Sequence, residues 1–422
     1  MPGALDGVKI LEFTQIVAGP FGGALLTDMG AQTIKVEPLR GDPTRLTQQM
    51  VPMEGRGFVS LNRGKRSLPL DMSTPEAQEI VYKMVPDLDV VLINYRPDVP
   101  AKLGIDYETL AAINPRLIYC QNSGFGLNGP LANLPGSDIV TQAMTGLLTG
   151  NNNIQDGLPT HIQATPVADV ATGITIAWGI TAALLHREKT GKGQKVEASL
   201  MGTSLALQSA RFMVIDAVDK EQRKEFLDNL NDMRRDGKSF EEMQAAYREF
   251  RPRPPGNIYY RTYKTKTGLI TVGCLSDEPK KRMAEILGLQ DIRWDEDYDA
   301  TSQEAVDFGA QLNKDAEAIL LGRSSDEWIE ILRSAKVPVV QVYVTEELPD
   351  HDQVIDNDNI VDLEHPLLGH MTMYGPTLKM SETPLHAQRS SPAFGENTDE
   401  ILADLGYSEA RIGELRDRGV TL

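Results

Sequence analysis

Cysteine is nearly absent: Cys120 and Cys274 are the only two in 422 residues, too few for a disulfide framework. Both sit in apolar, strand-like surroundings and read as buried core thiols. Histidine is scarce as well, and the six present show neither HxxxH nor HExxH spacing, so no metal centre is marked. A GxSxG elbow and a cysteine-centred catalytic motif are also missing. Cations are outnumbered, 42 Lys and Arg against 60 Asp and Glu, for a net charge of -18. That field repels nucleic acid and acidic lipid, and neither is expected as a partner. Long apolar runs are lacking too. The longest, 170–185, is broken by Thr172, Gly173, Thr175, Gly179 and Thr181. It is shorter than the roughly 20 residues a membrane span requires, and reads as a core helix. With no basic segment followed by an apolar run at the N-terminus, a cytoplasmic address is the expectation.

What is present is an α/β pattern. Residues 8–13 read as a strand, 21–29 as a Gly/Ala-rich helix and 32–37 as a second strand, a βαβ unit that implies a parallel sheet. Helix at 75–84, strand at 89–93, helix at 107–112 and strand at 117–121 repeat the pattern, so the first 200 residues look doubly wound. From 216 to 253 half of the residues are charged, with Phe226, Leu230 and Met233 on one stripe and Phe240, Met243 and Tyr247 on another, as in surface helices. A breaker-rich linker at 251–257 precedes a strand at 269–274, where a smaller domain begins. A strand at 337–344 and an amphipathic docking helix at 400–418 follow.

Two features invite a chemical reading. Gly124-Phe-Gly-Leu-Asn-Gly129 has GxGxxG spacing, but Pro130 follows at once and no helix opens to receive a pyrophosphate, so a glycine-rich turn or active-site loop is favoured over a dinucleotide fingerprint. Asp169 stands just before the long apolar helix. The pattern favours an N-cap, and a carboxylate held ionised there beside a Gly-rich helix also suits nucleophilic chemistry.

A set of motifs then matches a known family. Thr14-Gln-Ile-Val-Ala-Gly-Pro20, Gly30-Ala-Gln-Thr-Ile-Lys-Val-Glu37 with Gly41-Asp-Pro-Thr-Arg45, Asn62-Arg-Gly-Lys-Arg-Ser67, Asp169, Lys189-Thr-Gly-Lys-Gly-Gln194 and Phe394-Gly-Glu-Asn-Thr-Asp399 resemble class III CoA-transferases, over about residues 5–415. The resemblance implies an interlocked homodimer and an α/β fold with a Rossmann-like large domain (1–205), a helical linker (206–260), a small α+β domain (261–335) and a return segment (336–422) that completes the large domain. It implies that Asp169 is a covalent nucleophile, that Asp138 and Gln15 support it, and that Gln15, Ile16, Asn94, Tyr95, Lys102, Leu103 and Leu200 contact coenzyme A. Lys102 would meet a phosphate and Tyr95 would stack on adenine. Acyl-CoA and a carboxylic acid are then the substrates, with no external cofactor or metal. Backbone groups at Gly19, Gly124 and Gly126 are candidates for stabilising an oxyanion.

Departures narrow the substrate. Val17 stands where oxalate-specific members of the resembled family carry Gln, and their glycine-rich lid has only Gly256 and Asn257 near its place. Pro38 and Ser73 replace basic residues, leaving Arg40 or Arg96 to serve. The same family contains α-methylacyl-CoA racemases, which need a His where this chain has Ser137. Racemisation and non-catalytic CoA binding stay as alternatives to CoA transfer.

Overall fold

The computed structural model describes residues 2–251, 257–294, 298–299 and 302–422. Most of the linker expected at 251–257, with Gly256, lies outside the described residues. The chain divides into one unit of Met1–Lys220 with Asp352–Leu422 and a second of Glu221–His351.

In the first unit the chain runs through β1 (Lys9–Phe13), α1 (Ala18–Asp28), β2 (Gln32–Glu37), β3 (Arg66–Pro69), α2 (Pro75–Met84), β4 (Val90–Ile93), α3 (Tyr107–Ile113), β5 (Ile118–Ser123), α4 (Asp138–Met144), α5 (Val167–Thr190), β6 (Gln194–Ser199) and α6 (Leu200–Gln208). The six strands form one sheet in the order β6-β5-β4-β1-β2-β3, and every pairing is parallel. Crossover helices cover both faces, which is why β4 is the unbroken apolar run Val-Val-Leu-Ile, buried throughout. Alternation along the strands feeds two cores. Leu11, Phe13, Val91 and Ile93 pack with Ile80 and Val81 of α2, whereas Ile10, Val90 and Leu92 pack with Leu26 of α1 and Ile176 and Ile180 of α5. Each such side chain contributes about 1.5–3 kcal/mol on burial. Local signals set the helix starts: Thr74 caps α2 with Pro75 at its first position, and Asp106 caps α3.

α1 and α5 touch through glycine. A Cβ on Gly22 would lie 2.9 Å from the carbonyl oxygen of Gly173, and one on Gly173 would lie 2.8 Å from the ring of Phe21. α5 is a core helix, as read from the sequence, but extends beyond the 170–185 run at both ends. Its 24 residues are long and apolar enough to cross a membrane, yet Ile176, Ile180, Ala183 and Leu184 pack into the core. The opposite face leaves Ile174, Trp178 and Leu185 exposed within this chain.

The second unit begins within α7 (Asp216–Arg235) and continues through α8 (Phe240–Phe250), β7 (Tyr260–Lys264), β8 (Leu269–Gly273), α9 (Asp277–Leu287), α10 (Gln303–Leu320), α11 (Ser325–Ser334) and β9 (Val339–Gln341). The two stripes read from the sequence face each other: Phe226 stacks on Phe250 at 4.5 Å and meets Tyr247 at 6.0 Å. The strands form an antiparallel sheet, β7-β8-β9. The sequence placed β9 in the return segment; it belongs here, because Val339 pairs with Val272 and its side chain enters the core around Trp328 and Met283.

The return to the first unit brings the hairpin β10 (Ile360–His365) and β11 (Gly369–Tyr374), then α12 (Thr398–Asp404) and α13 (Glu409–Asp417). The single tail helix expected at 400–418 is two helices, split at Gly406 with φ +84, the second capped by Ser408. Ile401, Leu402, Ile412 and Leu415 close the first core. Arg45, fully buried, donates to the Pro392 carbonyl at 3.2 Å, and Asn397 accepts the Ser67 amide at 3.0 Å.

Candidate active site

The sheet order reverses between β1 and β4, and ligands of open parallel sheets bind beyond the strand C-termini at such a switch point. Gln15 and Asn94 lie just past those two ends. The Gln15 amide donates to Asn94 Oδ1 at 2.9 Å, and Asn94 Nδ2 donates back to the Gln15 carbonyl at 2.7 Å. The Gln15 side chain reaches the Tyr95 hydroxyl, whose pKa is raised by burial. Ile16 follows, exposed, at φ +72. Such a backbone costs a β-branched residue about 1–3 kcal/mol and persists only where its surroundings impose it. Val17 then begins α1 with no side-chain cap. Gly19 is required because a Cβ there would lie 2.5 Å from Thr14.

Asp169 is not the N-cap that the sequence pattern favoured. Pro166 holds that position and Asp169 is the third residue of α5. The cap comes from Asp138, the first residue of α4, whose Oδ1 accepts the amides of Ala168 at 2.7 Å and Asp169 at 3.3 Å. Gln142 Nε2 holds the other oxygen of Asp138 at 2.5 Å. The Asp169 carboxyl is half-buried and, among the described residues, accepts no hydrogen bond and forms no ion pair. Burial first, and the charge of Asp138 second, push its pKa up to about 7. Gly173, one turn further along the same face, lies against α1, where Ala18 O is 2.9 Å from the place of a Cβ. The half-buried carboxyl therefore stands one turn beyond the contact with the start of α1.

The remaining residues singled out from the sequence are placed differently. Lys102 is exposed and held by Asp98 at 2.6 Å, and Arg96 is drawn to the same Asp98 at 3.6 Å. Leu103 is partly buried against the first core, and Leu200 is buried at the start of α6. Ser73 is turned back onto Asp71. Arg40, by contrast, is close enough to Tyr95 for its charge to act on the phenol, and forms no ion pair among the described residues. The Gly124–Gly129 stretch is a loop, and Gly124 packs against Gly136, whose Cα would be 2.6 Å from an added Cβ. The Gly126 amide is spent on Ser123 Oγ at 3.0 Å, which removes it as an oxyanion donor. Cys120 and Cys274 are free and buried, as read from the sequence.

Comparison with known proteins agrees with this architecture. The model of CoA-transferase family III matches residues 5–398. A succinate--glutarate CoA-transferase of Agrobacterium fabrum is 31% identical over 95% of each chain. A formyl-CoA:oxalate CoA-transferase of Rhodopseudomonas palustris is 30% identical, covering all of this chain and 98% of its own. The crystal structure of a CAIB/BAIF family protein from Brucella suis superposes with a TM-score of 0.73 at 28% identity, over 96% of this chain and 100% of the other. The chain belongs to CoA-transferase family III and is an enzyme of that family.

Proposed function

We propose that this enzyme moves coenzyme A from an acyl-CoA donor to a carboxylic acid through covalent intermediates on Asp169. The observation that carries the reading is the Asp169 carboxyl itself: half-buried, without a hydrogen-bond or ion-pair partner among the described residues, and on a residue one turn before Gly173, which packs on the start of α1. A carboxylate stripped of hydrogen bonds is a better nucleophile than a solvated one. Asp169 attacks the thioester carbonyl, the C–S bond breaks, and a mixed anhydride and CoA thiolate result. Thiolate attacks the aspartyl carbonyl, releasing the donor acid and leaving an aspartyl thioester. The acceptor carboxylate attacks that thioester, thiolate leaves, and its return to the acceptor's acyl carbon yields the new acyl-CoA and free Asp169. No net proton is consumed. Oxyanions form at each stage; the amides of Ala18 and Gly19 precede the first helix bond of α1, from Phe21 to Val17, and are the donors proposed for them. Gln15 and Tyr95 flank that start, and Arg40 supplies the cation for a CoA phosphate.

The strand order supports a Rossmann-like first unit. The exposed row of Ile174, Trp178 and Leu185 supports a homodimer that covers it, and sedimentation at micromolar concentration giving twice 46.5 kDa is the expected result. The activity is tested by incubating the enzyme with acyl-CoA donors and a panel of acids in deuterated water. CoA exchange that requires the second acid, without α-deuterium in the product, is expected. Deuterium uptake with no second acid would replace transfer by racemisation.

A further inference from the structure

Two motifs, Gly41–Arg45 and Asn62–Ser67, contain charges that no step above uses, and they converge beneath one turn. Lys35, in β2, is fully buried, and its Nζ donates to the Thr14 carbonyl at 2.7 Å. It pairs with Asp42 at 3.2 Å and Glu12 at 3.3 Å. Asp42 Oδ1 accepts the Ile16 amide at 3.3 Å, and is itself fixed by the Thr44 amide at 2.9 Å and hydroxyl at 2.7 Å. Asn94 takes both polar backbone groups of Gln15. Thus the Thr14 carbonyl, both Gln15 groups and the Ile16 amide are each claimed by a side chain from a different segment. Behind them Lys65 Nζ donates to the Pro20 carbonyl at 2.8 Å and to Glu12 and Asn62 at 2.9 Å, which anchors the first turn of α1. Gly23 admits this: a Cβ there would lie 2.0 Å from Glu12 Oε2.

We propose that Lys35, Asp42 and Asn94 are positioning residues for CoA transfer: they hold the Thr14–Ile16 turn, with Ile16 left-handed, in the conformation that presents Gln15 and the first amides of α1 to the thioester. Buried charges are costly unless paired. A frame serving only stability would spread its hydrogen bonds through the core. This one, beyond its pairs with Glu12, Thr44 and Asn62, places five hydrogen bonds on backbone groups between residues 14 and 20. Asn94, which the family resemblance assigned to CoA, has its side-chain amide occupied by the turn, and acts through Gln15 instead.

The proposal rests on the reading above for what the turn faces; the frame itself has its own measurement. If the side chains impose φ > 0 on Ile16, glycine at that position should relieve the need for them. Asp42→Ala and Asn94→Ala are measured in the wild-type and Ile16→Gly backgrounds. Each single variant is expected to keep its circular dichroism spectrum and lose tenfold or more in kcat/KM, chiefly in kcat. The same changes made on Ile16→Gly should lose at least threefold less. Hydrogen exchange at the Gln15 and Ile16 amides should be slow in wild type and fast in Asn94→Ala and Asp42→Ala respectively. Losses carried by KM for CoA and equal in the two backgrounds would overturn the proposal in favour of direct contact. Lowered melting temperature with unchanged kcat would overturn it in favour of a stability role. If wild type exchanged CoA with no acid, the proposed activity would fail; the frame fails separately, if those two amides are unprotected in wild type.

Discussion

Asp138 accepts the backbone amide of Asp169 while its charge opposes that of the Asp169 carboxyl. One residue therefore both fixes the start of the helix that carries Asp169 and raises the pKa of that carboxyl. The two roles separate by substitution. Asp138→Asn retains an oxygen for the cap but removes the charge, so the kcat/KM limb, which should fall about tenfold per unit below pH 7 in wild type, moves to lower pH. Asp138→Ala loses the cap and should cost about 0.5–2 kcal/mol in stability. A pH–rate profile and a denaturant titration of both variants check this; an unmoved limb in Asp138→Asn would refute the coupling.

Asp169→Asn should abolish exchange, and hydroxylamine added with acyl-CoA should leave a hydroxamate on Asp169 of the wild type alone. Its stability should change in the opposite sense to a lost cap. The folded pKa, about 7, lies above the ordinary 3.8. Ionisation therefore weakens the native state progressively as pH rises from about 4 to 7, and fully above that. Asp169→Asn removes this penalty and should be more stable than wild type by about 1–3 kcal/mol at pH 8, after allowance for solvent screening, and equal to it at pH 4. Thermal melts across that range decide the sign.

Arg40 lies near Tyr95 and forms no ion pair among the described residues, whereas Lys102 is held by Asp98. Arg40→Ala is accordingly expected to raise KM for acyl-CoA about tenfold, a charge-assisted contact, and Lys102→Ala by less than threefold, with kcat preserved in both. Steady-state kinetics in which Lys102 proved the larger contributor would reverse the assignment.

Val17, half-buried at the head of α1, offers no hydrogen bond to a second carboxylate held close to the first, and desolvating one against it would cost several kcal/mol. Acceptors with a hydrocarbon segment beside the reacting carboxyl, such as succinate or a longer monocarboxylic acid, should exceed oxalate in kcat/KM by a hundredfold or more, and Val17→Gln should narrow that gap. Oxalate as the best acceptor of the wild type would end this reading of the pocket.

Much of the first unit was legible because parallel strands buried on both faces leave unbroken apolar runs. The segment 89–93 contains the observed β4, Val90–Ile93, and 75–84 is the observed α2. The cap of α5 was not legible, since the carboxylate that makes it comes from Asp138, and no local spacing records a partner thirty residues away. The early start of α1 was missed because Gly19 and Pro20 are weak helix formers; Lys65 holds the Pro20 carbonyl from below. Lys35 carried a signal that went unused: a lysine inside Thr33-Ile-Lys-Val36, a strand that must be buried, demands acids nearby. Asp42 and Glu12 answer that demand through tertiary structure alone.

The first unit is assembled from the two ends of the chain, and its buried arginines are satisfied partly from the late end. Arg45 needs the Pro392 carbonyl, and Arg63 the carbonyl of Tyr374. On a ribosome both guanidinium groups are made some three hundred residues before these acceptors. The nascent sheet must therefore wait, its edge strand β3 open and two cations only partly partnered, until the second unit has been synthesised in between. The strands of this sheet are thus made well before the acceptors that complete them, and are among the last parts of the unit to reach their final form.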